Sequence, residues 1–166
     1  MDSLGELTSA HPEVWKNNTV KLLDVVSQIV LHSDFEPGTR SAAIEVVLSL
    51  SAEMPAALRK APETSTTFFP ALVKMLTEVE QDEETWKEAV ESKDMLGSDV
   101  FSTGISAIQR FSKDIGEKKT LEATTSLVTK LIQSENWVER QAGLTLSGLI
   151  AESCNESFKK NLGDAF

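Results

Sequence analysis

The sequence predicts an all-α fold, a linear array of about three antiparallel helix hairpins stacked side by side. Three observations predict it. First, the chain repeats itself. Thr39–Lys60 and Glu139–Lys160 superpose without a gap at a separation of 100 residues. This places Arg40 on Arg140, Ala42 on Ala142, Ile44 on Leu144, Val46 on Leu146, Leu50 on Ile150, Leu58 on Phe158 and Lys60 on Lys160. A weaker copy relates His11–Lys16 to Met54–Arg59 at a spacing of 43, with Pro12 on Pro55. A period of about 40 to 50 residues marks a repeat array, whose units bury their apolar faces only against neighbours. Second, the apolar segments have helical spacing, and none alternates with period two. Third, proline and glycine sit at the edges of those segments, where they punctuate helices.

The elements follow in order. Val20, Leu23, Val26, Ile29 and Val30 make an apolar stripe from about Asn18 to His32. The turn Asp34-Phe35-Glu36-Pro37-Gly38 ends it, and a second stripe of Ala43, Val46, Val47, Leu50 and Met54 runs to Pro55. The next hairpin begins after Pro62. Phe68, Phe69, Leu72, Val73, Leu76 and Val79 line its first helix, with Pro70 in the first turn or at a kink. Its second helix is predicted over Asp99–Ile115, carried by Phe101, Ile105, Ile108 and Phe111 and closed by Gly116. The third hairpin pairs Leu121–Gln133 with Trp137–Ser153. The predicted organisation is therefore the end of a preceding repeat (1–16), three repeats (17–60, 61–118 and 119–155), and the opening of a further one (156–166).

One region breaks this rhythm. Between Glu78 and Asp94 stand eight acids against Lys87 and Lys93, a net charge of -6 out of the whole chain's -10. Hairpin turns are usually a few residues long, so the span 78–98 reads as an acidic insertion between the two helices of the middle unit. Its prominent residues are Glu80, Asp82, Glu83, Glu84, Trp86, Glu88 and Glu91. Trp86, alone among charges, is the expected anchor of the insertion against the stack. The insertion is read as a competitor for a basic site, or as a mimic of nucleic acid; the competing reading is a disordered, solvated loop.

Within the second helices small residues precede large ones. Ala42-Ala43 and Ala142-Gly143 permit close helix approach, while Val46, Val47 and Leu50, and likewise Leu146, Leu149 and Ile150, are expected to fill the layer between units. Asp34 or Glu36 is expected to pair with Arg40, and Glu135 or Glu139 with Arg140, as exposed ties across each turn worth about 0 to 1 kcal/mol. Trp15 and Trp137 are expected in packing between units, and Cys154 as a small buried apolar residue.

Composition bounds the function. At 166 residues and 40% apolar content the chain can bury a sizeable core. A charge of -10 and a pI near 4.7 repel phosphate backbones and anionic lipid, so neither nucleic acid nor membrane is an expected partner and a basic protein is. A single cysteine excludes an internal disulfide framework and points to a reducing compartment. There is no phosphate-cradling glycine loop, nucleophile elbow or metal-ligand spacing, and His11 and His32 lie far apart. No catalytic residue, cofactor or metal site is therefore expected, and the chain reads as a binding scaffold rather than an enzyme.

The segments LGELTSAHPEVW, GTRSAAIEVVLSLSAEMPAALRK, PALVKMLTEVEQDEETW and SENWVERQAGLTLSGLIAESC, in this order, resemble the middle HEAT repeats of the importin-β (karyopherin-β) superfamily. That resemblance implies a right-handed α-superhelix and a piece of a longer nuclear transport receptor. It further implies basic cargo proteins bound on the concave face, the Ran GTPase and FG-repeat nucleoporins as partners, and shuttling between cytoplasm and nucleus. In such arrays the second helices line the inner face. Its polar candidates are Ser41, Glu45 and Ser49, then Ser102, Ser106 and Gln109, then Gln141, Thr145 and Glu152. Glu45 and Glu152 are the expected lysine contacts, supported by Ser49, Gln109 and Gln141; for each, the competing reading is a solvated helix face. The alternative function is a HEAT scaffold for a phosphatase or similar assembly, with contacts through the turns.

Overall fold

A computed structural model of the chain describes Thr8, residues 10–79 and residues 99–155. All the regular elements among them are helical. A 3-10 turn over Pro12–Trp15 leads into α1 (Thr19–Leu31), followed by α2 (Pro37–Glu53) and the short α3 (Pro55–Lys60). A π-helical turn, Thr64–Phe68, opens α4 (Phe69–Met75). After residues 80–98 come α5 (Asp99–Ile115), α6 (Glu117–Ile132) and α7 (Trp137–Ser153).

The punctuating residues set these bounds. Pro37, Pro55 and Pro70 each lie in the first turn of a helix, where a missing N–H leaves no bond unmade. Met54, before Pro55, leaves the helical region at φ -131°, which separates α2 from α3. Gly116 adopts φ 81°, a left-handed backbone that only glycine takes readily, and so divides α5 from α6. Asn136 caps α7, its Oδ1 accepting the Val138 N–H at 3.0 Å.

The helices form two layers. α1, α4 and α6 make one, α2, α5 and α7 the other, and each first helix packs on its second. Across units, α1 packs on α4, α2 on α5, and α5 on α7. Phe68 and Phe69 meet Phe111 edge-on, with ring centroids 4.9 and 5.4 Å apart, and all three are fully buried. Val46, Val47, Leu50, Leu146, Leu149 and Ile150 are buried, as expected of the layer. So is Cys154, whose thiol burial pushes up. Trp15 packs against the core while its Nε1 donates to Thr8 Oγ1 at 3.0 Å. Gly143 permits close approach of α6 and α7, since a Cβ there would stand 2.9 Å from Leu131 Cβ and 3.1 Å from the Ile132 backbone nitrogen.

Several expectations need correcting. Arg40 pairs with neither Asp34 nor Glu36, and it is not exposed. Its Nε donates to the Val30 carbonyl at 2.8 Å, while Nη1 and Nη2 grip the Glu78 carboxylate at 2.8 and 2.5 Å. Its side chain is only 3% accessible. The pair thus joins the first hairpin to the end of α4 in the next unit. Arg140 likewise pairs with neither Glu135 nor Glu139 through a carboxylate. Its Nη1 donates to the carbonyls of Ser134 and Glu135 at 2.9 and 2.7 Å, beyond the C-terminal end of α6, where a cation is favoured. Glu139 instead accepts from Ser134 Oγ at 2.6 Å.

Trp137 is 47% exposed rather than packed between units. Leu144, the sequence counterpart of fully buried Ile44, is 66% exposed. Both sit on a face of α7 that no described helix covers. α4 ends at Met75, short of the expected Val79, although Leu76 stays buried. α6 begins at Glu117, ahead of Leu121, because Gly116 already supplies the break.

Candidate functional site

The second helices α2, α5 and α7 lie side by side, and polar side chains bridge them in rungs. Ser41 meets Thr103 at 3.3 Å. Arg110 of α5 holds both oxygens of Glu45 on α2, with Nη1–Oε1 at 2.6 Å and Nη2–Oε2 at 3.0 Å. Deeper between the same helices, the Ser51 hydroxyl donates to Asp114 Oδ2 at 2.6 Å. Between α5 and α7, Gln109 Nε2 donates to Glu152 Oε2 at 3.2 Å. The Glu45 carboxylate and its hydrogen bonds hold the Arg110 guanidinium above its ordinary range, so it is a permanent cation on this surface.

Two open grooves run between these helices. One, of about 330 Å³, lies between α2 and α5 and is walled by Ser41, Glu45, Ser102 and Ser106. The other, of about 500 Å³, lies between α5 and α7 and is walled by Gln109, Ser112, Lys113, Glu117 and Glu152. Ser112 belongs to the wall of the second groove, but its hydroxyl is buried from solvent and, among the described residues, has no hydrogen-bond partner. Gln141 Oε1, at the start of α7, is also buried without a partner, while its Nε2 reaches Thr145 Oγ1 at 3.4 Å. Along the wall of the α5–α7 groove two carboxylates, Glu117 and Glu152, stand against one ammonium, Lys113. A chain bearing ammonium or amide donors would find complementary atoms there.

The sequence-derived candidates divide on this surface. Gln109 and Glu152 are brought together. Glu45 lies on the same layer but is bonded to Arg110, and Ser49 is half-buried on α2. The insertion residues Glu80, Asp82, Glu83, Glu84, Trp86, Glu88 and Glu91 lie outside the described residues. Arg110, Ser112, Lys113 and Asp114 were missed. Arg110 stands four residues after Ser106 and Lys113 seven, so the helical spacing that selected Ser106 also placed them on this face. Among the described residues, no group of three His, Cys, Asp or Glu could hold a metal, and no helix is long and apolar enough to cross a membrane.

A layer of second helices bridged rung by rung is the geometry of a helical repeat array. A family model described as an importin repeat matches residues 32–122, more than half of the chain. The chain belongs to the importin-repeat family. Importin subunit beta-3 of Saccharomyces cerevisiae is 23% identical over 155 residues, covering 92% of this chain and 14% of that protein. The crystal structure of Kap121p bound to Nup53p matches with a TM-score of 0.88 at 22% identity, over 99% of this chain and 16% of that one. Kap121p bound to RanGTP matches at 0.84 and 23% identity, over 93% and 16%. These likenesses establish the HEAT-repeat superhelix as the fold. The importin-repeat chain described here spans about one-seventh of the length of such relatives.

Proposed function

We propose that this importin-repeat chain forms part of a nuclear transport receptor and grips lysine-rich segments of cargo proteins along the layer of α2, α5 and α7. The observation that carries the reading is the α5–α7 groove, whose wall sets the carboxylates of Glu117 and Glu152 against the one ammonium of Lys113. A lysine ammonium has three donors and no acceptor, so it suits such a wall. The chain's net charge of -10 adds long-range attraction for basic cargo. Division into the units 17–60, 61–118 and 119–155 belongs to the same reading, as does an acidic insertion that competes for basic ligands. Relatives solved with RanGTP and with Nup53p support Ran-dependent release and nucleoporin contacts, hence shuttling between cytoplasm and nucleus. The role is carriage, not catalysis.

Fluorescence anisotropy with a labelled octapeptide of alternating lysine and glycine tests the proposal. Binding that weakens with salt, and drops about tenfold on Glu152→Lys, is expected. Equal affinity for a glutamate–glycine peptide would overturn it.

A further inference from the structure

The Glu45–Arg110 rung has a consequence that the groove residues alone do not. Glu45 sits at the wall of the α2–α5 groove, and a basic ligand approaching it meets a carboxylate whose two oxygens are already held by a guanidinium. We infer that Arg110 is a resident competitor, a specificity-determining residue that closes the Glu45 position to lysine and leaves Glu152 as the open acceptor.

The chemistry favours this division. A guanidinium matches both carboxylate oxygens at once, whereas a lysine ammonium approaches as a point charge. Among the described residues the partner of Glu152 is a neutral amide, Gln109 Nε2 at 3.2 Å, which an incoming ammonium displaces readily. The Glu45–Arg110 pair is exposed on both sides, at 53% and 51% of side-chain area, so it is exchangeable rather than structural. Arg110 also has somewhere to go. Asp114 lies four residues on along α5, one turn away, and already attracts the same guanidinium. A ligand cation at Glu45 therefore requires Arg110 to leave that carboxylate and turn toward Asp114, whose Oδ2 the Ser51 hydroxyl also holds.

This inference rests on the proposed grip of basic segments, and its test separates the two. The lysine–glycine octapeptide is titrated into the full chain and into Arg110→Ala, Lys130→Ala, Glu152→Gln and the double variant Arg110→Ala/Glu45→Gln. Lys130 is exposed on α6, in the opposite layer, and its removal controls for the simple loss of a positive charge. Arg110→Ala is expected to bind about twofold to fivefold tighter than Lys130→Ala, and the double variant to lose that gain. Binding that emerges only in Arg110→Ala is the same result in extreme form. Equal affinities for Arg110→Ala and Lys130→Ala, with binding still weakened by Glu152→Gln, would overturn the competitor and leave the proposed grip standing. No binding by any variant would overturn the grip, and the competitor with it.

Discussion

Among the described residues, Arg40 and Arg110 each reach a neighbouring unit and hold a carboxylate there through two nitrogens. Arg40 does so at the edge of the stack, where its side chain is 3% accessible and Glu78 is 35% accessible. Arg110 does so on the open layer of second helices, where it and Glu45 are half exposed. The bonds are alike and the surroundings are not. Desolvation makes removal of one partner from a buried pair expensive, because the remaining charge stays stranded, whereas water screens and replaces an exposed one. The edge pair therefore fixes the register of the stack, and the inner pair remains available for exchange with a ligand.

The contrast can be broken most directly at Arg40. Replacing it by alanine removes a buried guanidinium from both the Val30 carbonyl and the Glu78 carboxylate, so urea denaturation should show a loss of about 3 kcal/mol. A loss below about 1 kcal/mol would place both pairs in the same class. The same division between closed junction and open face can be sharpened without charge in α7. Gly143→Ala forces a methyl against Leu131 and the Ile132 backbone, for a net loss of about 1 to 2 kcal/mol after its gain in helix propensity. Gly148→Ala meets nothing within 4 Å and should stabilise by up to about 1 kcal/mol in the same denaturation series. The smallest effect belongs to the inner pair. Arg110→Ala should change stability by at most about 1 kcal/mol, and a double-mutant cycle with Glu45→Gln should show a coupling that vanishes at about 1 M salt. A coupling that survives salt would make the rung structural.

Much of the fold was legible because its determinants are local. Proline fixes where α2, α3 and α4 begin, Gly116 where α5 ends, and apolar spacing gave the bounds of α5 and α7 as Asp99–Ile115 and Trp137–Ser153. The partners of the arginines were not legible. Glu78 is 38 residues from Arg40 and Glu45 is 65 from Arg110, so both contacts exist only once the units stack. Local reasoning offered nearby acids instead, Asp34 and Glu36 for Arg40. Ile44 and Leu144 make the same point. They are equivalent in the repeat, yet one is fully buried and the other 66% exposed, since burial depends on which helix covers the face. On the candidate surface, helical position marks Gln109 and Glu152, whereas Arg110 beside Gln109 is itself a cation and carries no sequence signal for a basic ligand.

The most direct measurement is amide chemical-shift mapping of the isotope-labelled chain during titration with the lysine–glycine peptide. The account predicts perturbations gathered along the α5–α7 groove, at Gln109, Ser112, Lys113 and Glu152, with those near Glu45 growing in Arg110→Ala. Perturbations centred on α1 and α6, in the opposite layer, would contradict it.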